Sequence, residues 1–216
     1  MQRTLKAVIV IIAAVGIAAG AAAYLSRTAD RPAETPDKSS HVEIKSGGHS
    51  RGPANAQLTL VEFGDYQCPS CGGYHPLVKE ILNRYPDKLR LEFHHYPLID
   101  LHPNAMIGSL AAEAAGEQGR YWEMHDALFE HQGEWAPSRN AELVFINLAS
   151  RLGLNVNQFM QQLRSPALQD RILQDVTLGN NLHVMETPTF FIDGQRVYIK
   201  PSVEDFVKVI EAHLHK

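Results

Sequence analysis

Two short apolar runs with a helical stretch between them constrain the fold of this chain more than any other feature. Residues 58–63 (Leu-Thr-Leu-Val-Glu-Phe) and residues 89–95 have the length and composition of buried strands. The stretch between them, which ends near Tyr85, has helical spacing. This order predicts a βαβ unit, whose right-handed crossover makes the strands parallel and places the helix start at the carboxyl end of the first strand.

A second group of strand signals lies near the end of the sequence. Residues 189–192 have a strand pattern, the Asp-Gly pair at 193–194 is a two-residue hairpin turn, and residues 196–199 supply the antiparallel partner. A last helix is predicted after Ser202, which makes a start similar to a capping box together with Asp205. These elements predict a ββα unit.

The sequence between these two units has an almost wholly helical pattern, from about residue 104 to residue 182. The predicted helical segments are 104–118, 120–132, 140–151 and 156–181. Glycine and proline indicate breaks at Gly119, Pro137, Gly153 and Pro166. The predicted fold class is therefore α/β, with a helical subdomain inserted between the βαβ and ββα units.

The N-terminal residues 1–25 are predicted to be a targeting element outside the fold. Residues 7–25 are apolar or small throughout, and as a helix they would cover about 28 Å, close to the hydrocarbon thickness of a bilayer. This length favours an uncleaved anchor, and cleavage as a signal peptide after Ala-x-Ala at 21–23 is the alternative. Residues 26–50, rich in Pro, Ser and Gly, predict a flexible polar spacer, which leaves residues 51–216 as the folded domain.

Charge and cysteine content narrow the function. A net charge of −4 over 216 residues leaves no broad basic surface for nucleic acid. Cys68 and Cys71 are the only cysteines, and they stand at the start of the first predicted helix. Haem attachment through Cys-x-x-Cys-His is excluded, because Gly72 follows Cys71.

The position of the cysteine pair favours redox chemistry. At a helix start, Cys68 faces unpaired backbone N–H groups and the positive end of the helix dipole, which favour the thiolate. We therefore expect Cys68 to be exposed and easily ionised, and Cys71, one turn further along, to be more buried. Zinc is a weaker alternative: His75 falls on the same helical face, but a structural zinc site needs four ligands and no second Cys-x-x-Cys is present.

The segments around the cysteines and the hairpin resemble the DsbA-like disulfide oxidoreductases of the thioredoxin superfamily. The specific pieces are residues 61–71 (Val-Glu-Phe-Gly-Asp-Tyr-Gln-Cys-Pro-Ser-Cys) and residues 186–194 (Glu-Thr-Pro-Thr-Phe-Phe-Ile-Asp-Gly), within a similarity that covers about residues 52–213. The resemblance implies a thioredoxin-like fold. It also implies that Cys68 forms the mixed disulfide and that Cys71 resolves it.

The resemblance implies a substrate-binding group as well. It makes Pro188 the cis-proline that faces the disulfide, with Thr187 offering backbone hydrogen bonds to an extended peptide. Pro69 and Ser70, between the cysteines, complete the group. The strongest oxidants of the family have histidine where this chain has Ser70, so we predict an intermediate redox potential.

Glu62 stands six residues before Cys68, where the superfamily has a buried acid beneath the active site. A carboxylate inside an apolar strand is costly unless it has a partner or a role. We expect Glu62 to move protons for Cys71, directly or through water. The alternative is that strand alternation turns Glu62 to solvent.

The resulting function is thiol-disulfide exchange in cysteine-containing secreted proteins or peptides, in an extracytoplasmic compartment and next to the membrane that residues 7–25 enter. Family resemblance implies re-oxidation by a membrane, quinone-linked partner and no bound cofactor. Gly16 and Gly20 are spaced for a dimer contact. The alternatives are an isomerase or reductase of the same fold, and a membrane-tethered peptide-binding or holdase module with a redox-inactive disulfide.

Other residues that could suggest a site are expected to be structural. One of His94 and His95, on the second strand, should face solvent while the other packs in the core. Trp122, Phe129 and Trp135 have roughly helical spacing and predict core or groove positions rather than a cofactor site.

Overall fold

The computed structural model describes Ile44 and residues 47–215, which form an α/β fold around one sheet. The strands are β1 (His49–Arg51), β2 (Leu58–Gly64), β3 (Leu89–His95), β4 (Thr189–Ile192) and β5 (Gln195–Val197). Their order in the sheet is β1-β3-β2-β4-β5. β2 and β3 are parallel, and the other neighbouring pairs are antiparallel. The predicted βαβ and ββα units are therefore both present.

Eight helices accompany the sheet in the described part of the chain. They are α1 (Pro69–Arg84), α2 (Ala105–Gly116), α3 (Tyr121–Glu130), α4 (Gln132–Trp135), α5 (Ala141–Arg151), α6 (Val156–Gln162), α7 (Pro166–Asn181) and α8 (Val203–Leu214). Helices α2 to α7 lie between β3 and β4, as the predicted helical insertion does. The predicted segment 156–181 is divided at the break indicated by Pro166, because proline disfavours a helical conformation in the residue before it and fits the first position of the next helix.

The hairpin and the last helix follow from local sequence signals. Asp193 and Gly194 both have positive φ (47° and 76°), the conformation that a tight two-residue hairpin loop requires. Because that loop fixes the register at Ile192 opposite Gln195, β5 starts directly after the turn and ends at Val197. The predicted partner strand 196–199 was therefore placed too late in the sequence. α8 begins as predicted, with the Ser202 side chain accepting a hydrogen bond from the Asp205 backbone N–H.

The folded chain begins earlier than the predicted boundary at residue 51. β1 starts at His49 and pairs antiparallel with β3, so the end of the predicted spacer 26–50 contributes an edge strand. No helix in residues 47–215 is long and apolar enough to cross a membrane. The predicted apolar helix, residues 7–25, lies outside the described residues.

Helices cover both faces of the sheet, so strand alternation does not separate an inner from an outer side. β2 and β3 each have five consecutive buried residues at their ends. The expectation that one of His94 and His95 faces solvent is therefore wrong, since both are fully buried. Trp135 and Phe129 are buried in the core of the helical insertion, as predicted, and Trp122 is half-buried beside it.

Candidate redox site

The two cysteines lie where β2 leads into α1. A short loop follows Gly64, and Cys68 occupies the N-cap position of α1 with extended backbone angles, φ −66° and ψ 121°. Pro69 takes the first helical turn, where its missing N–H costs no hydrogen bond. The first turn contains no acidic residue, so nothing opposes the positive end of the helix dipole at the Cys68 sulfur.

The surroundings of Cys68 favour its thiolate. A hydrogen bond from the Cys71 thiol, together with the nearby Thr187 hydroxyl and the backbone N–H groups of Cys71 and Ser70, outweighs burial and lowers the Cys68 pKa to about 5. The two Sγ atoms are 3.9 Å apart. Cys68 is only 7% exposed, so the expectation of an open thiol is wrong; the residue packs in the core of the insertion.

Cys71 has the opposite character. Its side chain is fully buried, as predicted, and it lies one turn into α1. Burial raises the pKa of the Cys71 thiol well above its usual range, and the hydrogen bond to Cys68 and the nearby Glu62 carboxyl raise it further. The pair therefore combines a sulfur that is ionised at neutral pH with one that keeps its proton.

Glu62 lies beneath this pair, in the second half of β2. It is 3% exposed, and its strand neighbours are Phe93 on β3 and Phe190 on β4. Burial raises the Glu62 pKa to about 8, and the Cys68 thiolate adds to that shift. The alternative that Glu62 faces solvent is wrong, because helices cover both faces of the sheet.

The loop before β4 faces Cys68. The Thr187–Pro188 peptide bond is cis, as the resemblance implies. In its thiol form, Cys68 Sγ donates a hydrogen bond to the Thr187 carbonyl oxygen at 3.3 Å. The Thr187 hydroxyl is buried and has no hydrogen-bond partner among the described residues, so it is free to donate to the thiolate. Pro69 and Ser70 are exposed beside the sulfur, at the rim of the site.

Two polar side chains that sequence reasoning missed hold the loop that carries Cys68. The fully buried Asp65 accepts hydrogen bonds from the backbone N–H groups of Gln67 (2.8 Å) and Leu98 (3.0 Å). Gln132 of α4 donates from Nε2 to the carbonyl oxygens of Tyr66 (2.7 Å) and Cys68 (2.9 Å). Asp65 follows a strand directly, a common position for functional side chains, but no local signal pointed to Gln132.

His75 lies one turn beyond Cys71 on α1. It does not form a site with the two cysteines, as a zinc ion bound by Cys68, Cys71 and His75 would require. Within the described part of the chain, the groups of ligands close enough to hold a metal do not include either cysteine. His75 instead lies beside His125 and Asp126 of α3. It also lines a cavity of about 510 Å³ between α1 and α3.

Sequence comparison connects this chain with a known family. The family described as Thioredoxin matches residues 45–212. A Na+/H+ antiporter, NhaA 1 of Salinispora arenicola, is 42% identical over 156 residues, which are 72% of this chain and 23% of that protein. NhaA 3 of Salinispora tropica is 44% identical over 148 residues, 68% of this chain and 22% of that protein. The chain therefore spans about a quarter of the length of these relatives.

Several solved structures share this fold. BdbD from Bacillus subtilis, in its oxidised form, has a TM-score of 0.70 at 21% identity, over 79% of this chain and 94% of that one. The catalytic domain of ScsC from Proteus mirabilis has a TM-score of 0.66 at 18% identity, over 82% and 94%. α-DsbA1 from Wolbachia pipientis has a TM-score of 0.65 at 22% identity, over 76% and 89%. The chain therefore belongs to the thioredoxin family, and its fold is that of the DsbA-like thiol-disulfide oxidoreductases.

Proposed function

We propose that this chain oxidises pairs of cysteines in extracytoplasmic proteins through a reversible disulfide between Cys68 and Cys71. The observation that carries this proposal is the contrast between two neighbouring sulfurs: the pKa of Cys68 is lowered to about 5, and that of Cys71 is raised by burial. A thiol of low pKa is a good leaving group from a mixed disulfide and stabilises the reduced protein, which makes the disulfide an oxidant.

The first step is attack by a substrate thiolate on Cys68 Sγ of the oxidised protein. A sulfur–sulfur bond forms between substrate and Cys68, and the bond from Cys68 to Cys71 breaks. Cys71 leaves as a buried thiolate that requires a proton. Glu62, whose pKa is raised to about 8 and which therefore holds a proton at neutral pH, is the proposed donor, directly or through water.

The second step releases the product. Another thiolate of the substrate attacks the substrate sulfur of the mixed disulfide, and Cys68 leaves as a thiolate. The substrate has then lost two electrons, and the protein holds them as its reduced cysteine pair. A disulfide partner must accept those electrons before the next cycle.

The substrate-binding part of the site is proposed to be the loop at Thr187 and Pro188, with Pro69 and Ser70 at the opposite rim. The position of the Thr187 carbonyl, 3.3 Å from Cys68 Sγ, supports this, because an extended peptide beside that backbone would bring its cysteine close to the reactive sulfur. Specificity would then depend on the backbone of the substrate more than on its side chains.

The partners and the location belong to the same proposal. We place the domain on the extracytoplasmic side of a membrane, joined to it through residues 7–25 and re-oxidised by a quinone-linked membrane protein, without a bound cofactor. Net oxidation of thiols is compatible with an oxidising compartment. The relatives that are named Na+/H+ antiporters contain the matched section within much longer membrane proteins, which supports a position beside a membrane.

Trapping of mixed disulfides tests the redox role. In a Cys71→Ser variant, Cys68 can form a mixed disulfide that is not resolved, so we expect covalent complexes with secreted proteins on non-reducing gels, removed by reductant. The matched control is Cys68→Ser, which should trap none because Cys71 is fully buried. Absence of complexes with Cys71→Ser would favour a peptide-binding module with an inert disulfide.

The direction of catalysis needs a separate measurement. Equilibration with glutathione gives the redox potential, and oxidation of a reduced substrate can be timed against repair of a scrambled one. Faster oxidation supports the proposal. Faster repair would make the chain an isomerase or reductase of the same fold.

The proton-transfer role of Glu62 predicts a specific kinetic defect. Glu62→Gln should slow both formation and resolution of the mixed disulfide while leaving peptide affinity unchanged, with exposed Glu130→Gln as the matched control. Unchanged rates together with an unchanged Cys71 titration would remove Glu62 from the mechanism.

A further inference from the structure

A group of side chains between α1 and α3 has the composition of a metal site and takes no part in the redox mechanism. One ligand atom from each of His75, His125 and Asp126 lies within 4.8 Å of the other two. His75 is 7% and His125 2% exposed. We propose that these three residues bind a zinc ion, with water as the fourth ligand.

The surroundings of His75 leave one of its ring nitrogens without a partner. His75 Nε2 is buried and makes no hydrogen bond among the described residues. The nearest carboxylate oxygen, Asp126 Oδ1, is 3.7 Å away, which is too far for a hydrogen bond. Two ligands on one tetrahedral zinc are about 3.4 Å apart, because each lies about 2.1 Å from the ion. The separation therefore suits two atoms that share a metal better than two that share a proton.

The second imidazole is oriented as a metal ligand should be. His125 Nδ1 lies 2.9 Å from the Tyr66 hydroxyl, which itself lies 3.2 Å from the Tyr121 hydroxyl. When Nδ1–H donates to Tyr66, Nε2 keeps its lone pair for a metal. Such an outer partner fixes the tautomer of a ligating histidine.

The charges at the site are compatible with zinc, but two cations compete with the ion for Asp126. Both histidines bind a metal through a neutral ring nitrogen. Arg51 holds both oxygens of Asp126 at 3.1 Å, and Lys79 Nζ lies 3.3 Å from Oδ2. These two cations are half-buried, so they can move into solvent when an ion takes the carboxylate.

Space for the ion and its water is available on both sides. His75 lines the cavity of about 510 Å³ between α1 and α3, and Asp126 lines a neighbouring cavity of about 270 Å³. A bound ion would join α1, which carries Cys71, to α3 of the helical insertion.

A second group of two histidines and one acid, His49, His95 and Glu113, provides a comparison. His49 Nε2 and His95 Nε2 lie 2.7 Å and 2.9 Å from the same Glu113 oxygen, and Arg171 binds the other oxygen at 2.6 Å. These are hydrogen-bond distances, so the Nε2 atoms of both histidines already have a partner, whereas His75 Nε2 has none among the described residues. We therefore place zinc at His75 and not at His49.

The test measures zinc binding to the full chain carrying Cys68→Ser and Cys71→Ser, because a free dithiol binds zinc itself. Competition with a chromogenic zinc chelator should give one zinc per chain. His75→Gln should weaken binding by at least about 10-fold, the loss typical even of an outer-shell partner. The matched control is His49→Gln, which should bind as before. Absence of zinc binding, or a loss with His49→Gln alone, overturns the proposal.

A second variant separates ligand loss from a folding defect. Arg51→Gln removes the fork that competes for Asp126 and should tighten zinc binding several-fold, which an unfolded protein cannot do. Unchanged or weaker binding in this variant would contradict Asp126 as a ligand and overturn the site. X-ray absorption of the zinc form should show two imidazole ligands; an all-oxygen shell would also overturn it.

Discussion

Two buried glutamates in this protein have opposite surroundings. Glu62, beneath the cysteine pair, is 3% exposed. Glu113, which belongs to α2 and contacts the last residue of β3, is 1% exposed. Burial raises the pKa of Glu62 to about 8. Burial also opposes ionisation of Glu113, but hydrogen bonds from His49 and His95 overcome it and hold its pKa well below the usual range.

The difference lies in the partners rather than in the depth of burial. Glu113 is surrounded by two imidazoles and the Arg171 guanidinium, so its charge is compensated. The charged neighbour that shifts Glu62 is the Cys68 thiolate, which repels it. A compensated acid holds elements together, whereas an uncompensated one keeps a proton available. The surroundings of Glu113 therefore favour stability, and those of Glu62 suit the proton transfer proposed for it.

The largest expected effect is the loss of the compensated acid. Glu113→Gln leaves His49, His95 and Arg171 without their shared carboxylate, and we expect the free energy of unfolding at pH 7 to fall by about 3–5 kcal/mol. Urea denaturation measures it. The exposed Glu117, which also binds Arg171, is the matched control, and Glu117→Gln should cost less than about 1 kcal/mol.

The pH dependence of this effect has a fixed sign. A carboxyl whose folded pKa is lowered stabilises the fold above its unfolded value of 4.5, and that contribution disappears as the pH falls towards the folded value. The gap between wild type and Glu113→Gln should therefore narrow below about pH 4.5. A gap that widens in acid would contradict the ion-pair description.

The second prediction concerns the effect of Glu62 on stability. Because the folded pKa of Glu62 is raised from 4.5 to about 8, the folded state binds the proton more tightly, and stability falls as the pH rises through this window. Glu62→Gln should remove that fall and make the reduced protein more stable than wild type by about 4 kcal/mol near pH 8, at about 1.4 kcal/mol per pKa unit. Thermal unfolding across this window measures it.

Oxidation provides the control for Glu62. In the disulfide form Cys68 carries no charge, so the repulsion that raises the Glu62 pKa is removed and the gain from Glu62→Gln should shrink. An equal gain in both redox states would mean that burial alone sets the Glu62 pKa.

A smaller pH effect is expected from His94. Burial opposes its protonation, but Asp175 (2.7 Å) and Glu92 (3.0 Å) raise its pKa from 6.5 to about 9. This contribution is complete below about pH 6.5 and is lost as the pH rises through about 9, with a size of about 3 kcal/mol. His94→Gln should flatten the stability profile in this window, which urea titrations at several pH values would reveal. A profile that keeps its slope would contradict the assignment.

The smallest effect is expected on the redox equilibrium when a positive charge is added beside Cys68. Ser70→His places an imidazole beside Cys68, at the rim where Ser70 is exposed. We expect the glutathione equilibrium to move about 10-fold towards the reduced protein, equivalent to about 1.4 kcal/mol for the thiolate. Ser70→Asn, polar but neutral, should leave the equilibrium almost unchanged; an equal shift in both variants would rule out charge as the cause.

Local sequence signals predicted most of the fold. Strands β2, β3 and β4 were placed to within a residue because each is a short apolar run with clear ends, and the Asp193-Gly194 turn fixed the hairpin. β1 was missed because its three residues carry no apolar signal and become a strand only by pairing with β3. The burial of both His94 and His95 was missed for a related reason, since their partners Asp175 and Glu113 are distant in sequence.

The candidate site was likewise predictable from sequence only in part. The position of the cysteines at a helix start, and the burial of Cys71, follow from spacing along one helix. The support of the Cys68 loop by Gln132, 64 residues away, depends on how the insertion folds back over the sheet. His125 is likewise brought to His75 only by the packing of α3 against α1. Long-range pairing of polar groups was the part that one sequence could not predict.

Strand β1 has a practical consequence for any shortened form of this protein. A fragment cut at residue 52 would lose His49 and Arg51, the partners of Glu113 and Asp126. It would also leave β3 as an outer strand with a row of unpaired N–H and C=O groups, and such a row readily recruits a strand from another molecule. Aggregation of that fragment would therefore report an exposed strand edge as well as the lost ion pairs.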